Sequence, residues 1–326
     1  MPTGLDLGAL AEKLRRGRGL SAKNDIGPVV ERLGLSTQSV IPVGDDCAAI
    51  PDGDGFLLFA IEGFINEFVA ADPWFAGWCG VMVNVSDVAA MGGRPVAIVN
   101  AVWAEGDGKA APLLDGLRAA AETFGVPIVG GHANLQTDRS QLSVAILGRA
   151  ANLLTSFEAR PGDRLVAAID LRGHYREPFA NWDAATDAPP ARLRGDIALL
   201  QEIADAGLCR AAKDISQGGI IGTAAMLAEC SCAAIDIDIR AIPKPGSVAW
   251  DRWLLTFPSF GYLLSVPPWN LSTVVRRFAE RDIAAADIGA IRAGAAVTMT
   301  DGAVTETIWD FSKASLITPP KREAAA

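Results

Sequence analysis

The chain has 326 residues, enough for two domains of ordinary size, and half of them are apolar, enough for a sizeable core. A formal net charge of −9 argues against a general nucleic-acid binder, which would present a basic face. Five cysteines without a CxxC pair, and only two histidines, His132 and His174, argue against a disulfide framework, a four-ligand zinc site and a His-rich metal site.

The opening stretch MPTGLDLGALAEKLRRGRGL has no signal-peptide core, and no apolar run of about 18 residues follows. A cytoplasmic protein with no membrane partner is expected. Leu7, Leu10 and Leu14 predict a helix over 6–16. RRGRGLSAKND (15–25), with two glycines and concentrated charge, reads as a mobile segment carrying Lys23. Residues 38–50 and 56–62 predict strands on either side of the turn PDGDG. Asp72 is read as an N-cap with Pro73 in the first helical position. The helix it starts runs through WFAGWCGVMVNVSDVAAM to Gly92-Gly93. A buried strand over 95–103 follows, then an amphipathic helix over 110–124 ending at Gly125. VPIVGG (126–131) reads as a strand entering a glycine turn, and 141–150 as another strand.

A boundary near 152–160 divides the chain into a first domain, 1–155, and a second, 156–326. The second domain opens with the turn at Arg160–Asp163 and the buried strand RLVAAI. A Pro-rich surface loop is predicted over 176–192, with helices near 193–207, 218–230 and 268–281. Strands are predicted near 233–240, 259–266, 285–292 and 295–300, and the tail TPPKREAAA as a frayed end. Both halves mix strands and helices, so the fold class is α/β or α+β.

Five polar groups interrupt these apolar elements. Asp45 and Asp46 adjoin in the run VGDDCAAI, beside Gly44. Two close carboxylates repel unless water or a divalent cation separates them, and hard cations such as Mg2+ take carboxylate oxygens. A water-exposed turn is the competing reading. Glu62 ends an apolar strand, solvated or as a ligand. Asn84 and Asp87 lie three apart on one face of the most apolar helix, where an acid is costly unless bonded or metal-linked. Gly130 and Gly131 precede His132, and such glycines let a backbone approach a ligand. Asp214, Ser216, Gly218 and Gly219 precede a helix, as an anion-binding amino terminus or a plain cap. Trp250, Trp253, Phe257, Phe260 and Trp309 fit either a substrate pocket or a core.

Together, GDDCA at 44–48, Glu62, NVSDVAAMGGRP at 84–95, Gly130-Gly131-His132, RPGD at 160–163 and DISQGG at 214–219 carry a resemblance. Over about residues 25–310 the chain resembles the aminoimidazole-ribonucleotide (AIR) synthase superfamily. Its members include thiamine-monophosphate kinase, selenophosphate synthetase and the hydrogenase-maturation dehydratase. The resemblance implies a two-domain AIR-synthase-like fold, with an N-terminal ATP-binding sheet that pairs across a homodimer and a C-terminal α/β sandwich. ATP and Mg2+ are the implied cofactors. Asp45, Asp46, Asp87 and Asp214 are the implied metal ligands, with Glu62 in an acidic position of the kinase. Asn84, Gly130, Gly131, Ser216 and Gly218 are placed beside the nucleotide. Lys23, Arg94 and His132 are candidate catalytic groups, with Lys23 on a flap over the phosphates.

Motif order is most like the kinase, which implies an ATP- and Mg2+-dependent phosphotransferase acting on a small metabolite. Two alternatives stand. One is a ligase, cyclase or dehydratase that phosphorylates an amide or formyl oxygen; the other is a catalytically silent ATP-binding subunit. The chain departs from the kinase in having Glu62 and His132 where the kinase has Asp, and in lacking its Gly-Gly-Glu-Asp substrate motif. It has no cysteine near Lys23 and no terminal cysteine, unlike the selenium and hydrogenase branches.

Overall fold

The computed structural model describes residues 5–35 and 41–317. An amino-terminal arm holds α1 (Leu7–Arg16), α2 (Arg18–Ser21), a 3-10 turn (Ala22–Asp25) and α3 (Ile26–Leu33). Next come β1 (Ala48–Asp52), β2 (Gly55–Phe64), α4 (Asn66–Ala71), α5 (Pro73–Ala90), β3 (Arg94–Glu105), α6 (Asp107–Phe124), β4 (Ile128–Asn134) and β5 (Gln136–Ala150). The chain continues through β6 (Arg164–Ile169), β7 (His174–Tyr175), β8 (Asn181–Asp183), α7 (Pro190–Asp205), β9 (Ala211–Asp214) and α8 (Gly219–Cys230). Then follow β10 (Ala234–Asp238), α9 (Trp250–Trp253), β11 (Phe257–Pro258), β12 (Gly261–Val266), α10 (Leu271–Ala279), β13 (Ala284–Arg292), β14 (Ala296–Thr300) and β15 (Thr305–Asp310). The mixed α/β class read from the sequence is the observed one.

Packing groups the chain into two units. One takes the arm up to Asp45, Leu154–Ala184 and the chain from Ala206 onward; the other takes Asp46–Leu153 and Ala185–Asp205. Relative to a single cut after residue 155, the arm joins the later half and α7 joins the earlier one. Both shifts have a physical cause. Leu7, Leu10, Ala11 and Leu14 bury one face of α1 in the core of the first unit. In the second, Arg194 of α7 donates through Nε to the Thr123 carbonyl (2.8 Å) and through Nη2 to that of Glu122 (2.7 Å). Those are otherwise unsatisfied last-turn carbonyls of α6.

The Asp46–Leu153 unit carries a five-stranded sheet in the order β1-β2-β5-β3-β4, antiparallel except for β3 beside β4. Helix α5 starts as expected, with the Asp72 carboxylate accepting from the Phe75 amide at 3.1 Å and Pro73 in the first turn. Gly77 and Gly116 bring α5 and α6 into backbone contact. A Cβ on Gly116 would stand 1.9 Å from the Trp74 carbonyl oxygen, and one on Gly77 2.1 Å from that of Leu113. The strand over 95–103, expected to be buried, is covered on one face only. Ile98 and Val102 are buried, whereas Val99 is 40% exposed. Alternation explains this, since successive side chains point to opposite faces and the helices cover only one.

The larger unit holds a seven-stranded sheet, β15-β14-β10-β13-β6-β12-β9, and a small sheet, β11-β8-β7. The segment 176–192, expected as a loop, contains β8 of that small sheet and the start of α7. Strand β6 is apolar on both sides, and Leu165 to Ile169 are fully buried. Trp253 packs edge-on against Trp182 within the core, and Phe260 stacks edge-on to Tyr262 and Phe278. These two of the five singled-out aromatics are therefore core residues. Cys47, Cys79, Cys209 and Cys230 are buried. Burial pushes the Cys209 thiol up to about 12, which keeps it protonated.

Candidate functional site

Residues 41–47 form turns and bends, and β1 begins only at Ala48. The strand expected over 38–50 is thus shorter, and its residues 38–40 lie outside the described ones. Gly44 explains the break: its φ of +135° suits a residue without a Cβ. The turn gives its two aspartates different surroundings. Asp45 accepts from the Ser156 amide (3.0 and 3.2 Å to its two oxygens) and from the Ser156 hydroxyl (2.7 Å). Asp46, half-buried, brings a carboxylate oxygen within 4.8 Å of one from Asp87.

Asp87 is only 6% exposed, and Asn84, one turn earlier in α5, is wholly buried. The Asn84 amide nitrogen donates back to the Gly80 carbonyl at 2.8 Å. Its Oδ1 finds no donor among the described residues. Leaving such an oxygen bare costs about 1–3 kcal/mol. Carboxylate and amide oxygens are the hard donors that Mg2+ prefers, and no thiol or imidazole accompanies Asp46 and Asp87 in their acidic group. The donor set therefore fits Mg2+.

Alternation along β2 puts Glu62 on the same side as Leu58 and Ala60, which face α5, but at the exposed end of the strand. Gly130, Gly131 and His132 were expected in a turn; they lie inside β4, exposed along its length at the sheet edge. A Cβ on Gly131 would stand 2.4 Å from the Asn100 carbonyl oxygen, so that glycine serves strand packing. His132 lies near Trp103, with ring centroids 6.1 Å apart. Arg94 opens β3, is exposed, and lines a cavity of about 160 Å³ with Val85, Phe124 and Gln201.

In the other unit, Asp214 ends β9 and is 4% exposed. The Gly219 amide donates to the Ser216 carbonyl (2.8 Å), and Gly218 caps α8. The arm lies on this loop: a Cβ on Gly19 would stand 2.1 Å from the Gln217 carbonyl oxygen. The segment expected to be mobile is thus a packed run of short helices, with Lys23 half-buried in its 3-10 turn. Sequence reasoning passed over Ser156, Lys213 and Glu229, which support the acidic turn. A lysine inside the buried strand Ala-Ala-Lys-Asp was the available signal.

Among the described residues no helix is long and apolar enough to cross a membrane. The sequence matches the AIR synthase related protein N-terminal domain over residues 44–150 and the C-terminal domain over 160–302. An uncharacterised protein of Synechocystis sp. is 44% identical over 308 residues, covering 92% of this chain and 95% of its own. One from Methanocaldococcus jannaschii is 34% identical, covering 95% and 98%. A thiamine-monophosphate kinase of Methanospirillum hungatei is 28% identical over 212 residues, covering 62% of this chain and 70% of its own. Among solved structures, T. maritima PurL complexed with ATP superposes with a TM-score of 0.74 at 18% identity, covering 98% of this chain and 56% of PurL. The chain thus spans about half the length of that PurL chain. AaThiL complexed with AMPPCP and TMP superposes at 0.66 and 20% identity, covering 86% of this chain and 95% of AaThiL. With both of its domains matched and its two-unit α/β architecture shared, the chain belongs to the AIR synthase related protein family.

Proposed function

We propose that the chain is an ATP- and Mg2+-dependent phosphotransferase acting on a small metabolite. The observation that carries this reading is the Asp46–Asp87 pair, two carboxylate oxygens within 4.8 Å, one of them from inside an apolar helix. Carboxylates this close repel, and a cation between them relieves that repulsion. Bound Mg2+ would neutralise the two acids and offset the charge of a triphosphate. Asp46 and Asp87 are the proposed ligands, with Asn84 beside them. Asp214 enters through its motif and its burial. Asp45, already engaged by Ser156, holds the turn. Lys23 and Arg94 are the proposed cations for the phosphates; Glu62, Ser216, Gly218, Gly130, Gly131 and His132 enter through their motif positions. Phosphoryl transfer needs mainly positioning and charge stabilisation, which these residues supply.

The reading is tested by thermal unfolding. Saturating Mg2+ and ATP raise the wild-type melting temperature by a few degrees, as expected for a ligand at about 100 Kd. Asp46→Asn removes most of that gain while leaving the ligand-free protein at least as stable, since it relieves the repulsion. A full gain in the variant would remove Asp46 from the metal site. Product analysis then separates the chemistries: a phosphorylated product supports the kinase, and free phosphate released with a second condensation or dehydration product supports the ligase alternative.

We also propose a homodimer formed through the open face of the five-stranded sheet. Phe59 (49% exposed), Ile61 (68%) and Val99 (40%) present an apolar surface there, opposite the face covered by helices. Ile61→Lys is expected to convert a dimer to a monomer in sedimentation; an unchanged mass for variant and wild type would contradict that interface.

A further inference from the structure

The acidic turn is gripped from behind. Gly44 packs so closely that a Cβ would stand 2.9 Å from Cys230 Sγ and 3.1 Å from Ile317 Cδ1. Its carbonyl oxygen accepts from Lys213 Nζ at 3.3 Å and from Cys230 Sγ at 3.5 Å. Ser156, which holds Asp45, is itself held, since its carbonyl accepts from the Ser231 hydroxyl at 2.6 Å. The residues behind the turn therefore come from β9, from the end of α8 and from the chain after β15.

That last segment is clamped. Glu229, 9% exposed on α8, accepts from the Leu316 amide at 2.9 Å through Oε1 and from the Ile317 amide at 2.8 Å through Oε2. Both bonds are buried, and the acceptor is a carboxylate, the stronger class of hydrogen bond. They fix a strap at Leu316–Ile317, 2% and 3% exposed, with Ile317 against Gly44. Cys230, the residue after Glu229, touches the same glycine.

We infer that Glu229 and Ile317 are positioning residues: through the strap they set the conformation of Gly44 and Asp45, and hence of Asp46 one peptide bond on. Neither is among the proposed ligands of nucleotide or metal. The consequence for affinity rests on the proposed Mg2+–ATP reading; the consequence for the turn does not.

The test compares wild type, Glu229→Gln, Ile317→Ala and the control Val274→Ala, which removes buried side-chain atoms from α10 in the same unit. Hydrogen exchange is followed at the amides of Gly44, Asp45 and Asp46, and the Kd for ATP is measured with Mg2+. Both strap variants are expected to exchange at the turn about tenfold faster and to bind about tenfold more weakly. The control melts lower but keeps wild-type exchange at the turn and wild-type Kd. Ile317→Ala leaves the clamp's carboxylate intact, so either variant decides the matter if the other fails to fold. Unchanged exchange at the turn in the strap variants, or an equal change in the control, overturns the inference. A wild-type chain that binds no ATP with Mg2+ sinks the functional reading alone, and the exchange data still decide the role of the strap.

Discussion

Asp87→Asn is expected to cut Mg2+-dependent ADP formation from ATP by about 10³-fold while the protein stays folded. The substitution keeps the shape of the side chain and removes its charge. Asp87 sits in α5, surrounded by buried residues from Phe75 to Ala90, so nothing else on that helix can supply a second carboxylate. A metal ligand in such a place contributes several kcal/mol to the stabilisation of phosphate charge. Far-ultraviolet circular dichroism and the ligand-free melting temperature control for folding. ADP formation within tenfold of wild type, at equal Mg2+, would remove Asp87 from the chemistry.

Gly116→Ala is expected to destabilise the five-stranded unit by about 2–4 kcal/mol. The added methyl would stand 1.9 Å from the Trp74 carbonyl oxygen, inside any van der Waals contact, so α6 must move away from α5. Because backbone rather than a flexible side chain is in the way, the strain cannot relax by a rotamer change. Helix α5 also carries Asn84 and Asp87, so the gain in stability from Mg2+ with ATP falls together with the melting temperature. Chemical denaturation measures the loss. A variant within 0.5 kcal/mol of wild type, a threshold taken from ordinary surface substitutions, would mean that the two helices tolerate a wider gap.

Much of the site was legible because its elements obey local rules. Asp72 and Pro73 announce the start of α5 chemically, and a polar Asn84 and Asp87 in an apolar helix announce that something must satisfy them. The acidic turn was harder. Val43 and Cys47–Ala49 read as strand, and only the positive φ of Gly44 bends the chain there. Gly130 and Gly131 read as a turn because glycine is permissive, yet in β4 Gly131 answers a close approach of Asn100. No local signal could show that α1 buries its leucines in the unit of the later half, or that Ile317 reaches Gly44. Those are contacts between residues far apart in sequence. The apolar run of β3 likewise reads as buried, and only the helices on one face distinguish its covered side from its open one.

Asp46 and Asp87 are proposed to hold a cation that brings ATP with it. Calorimetric titration of the wild-type protein with ATP, with Mg2+ and with the metal removed by chelation, tests this most directly. An affinity at least about tenfold higher with Mg2+ is expected, a difference that Asp87→Asn abolishes. Equal affinity under the two conditions, or no binding under either, would contradict it.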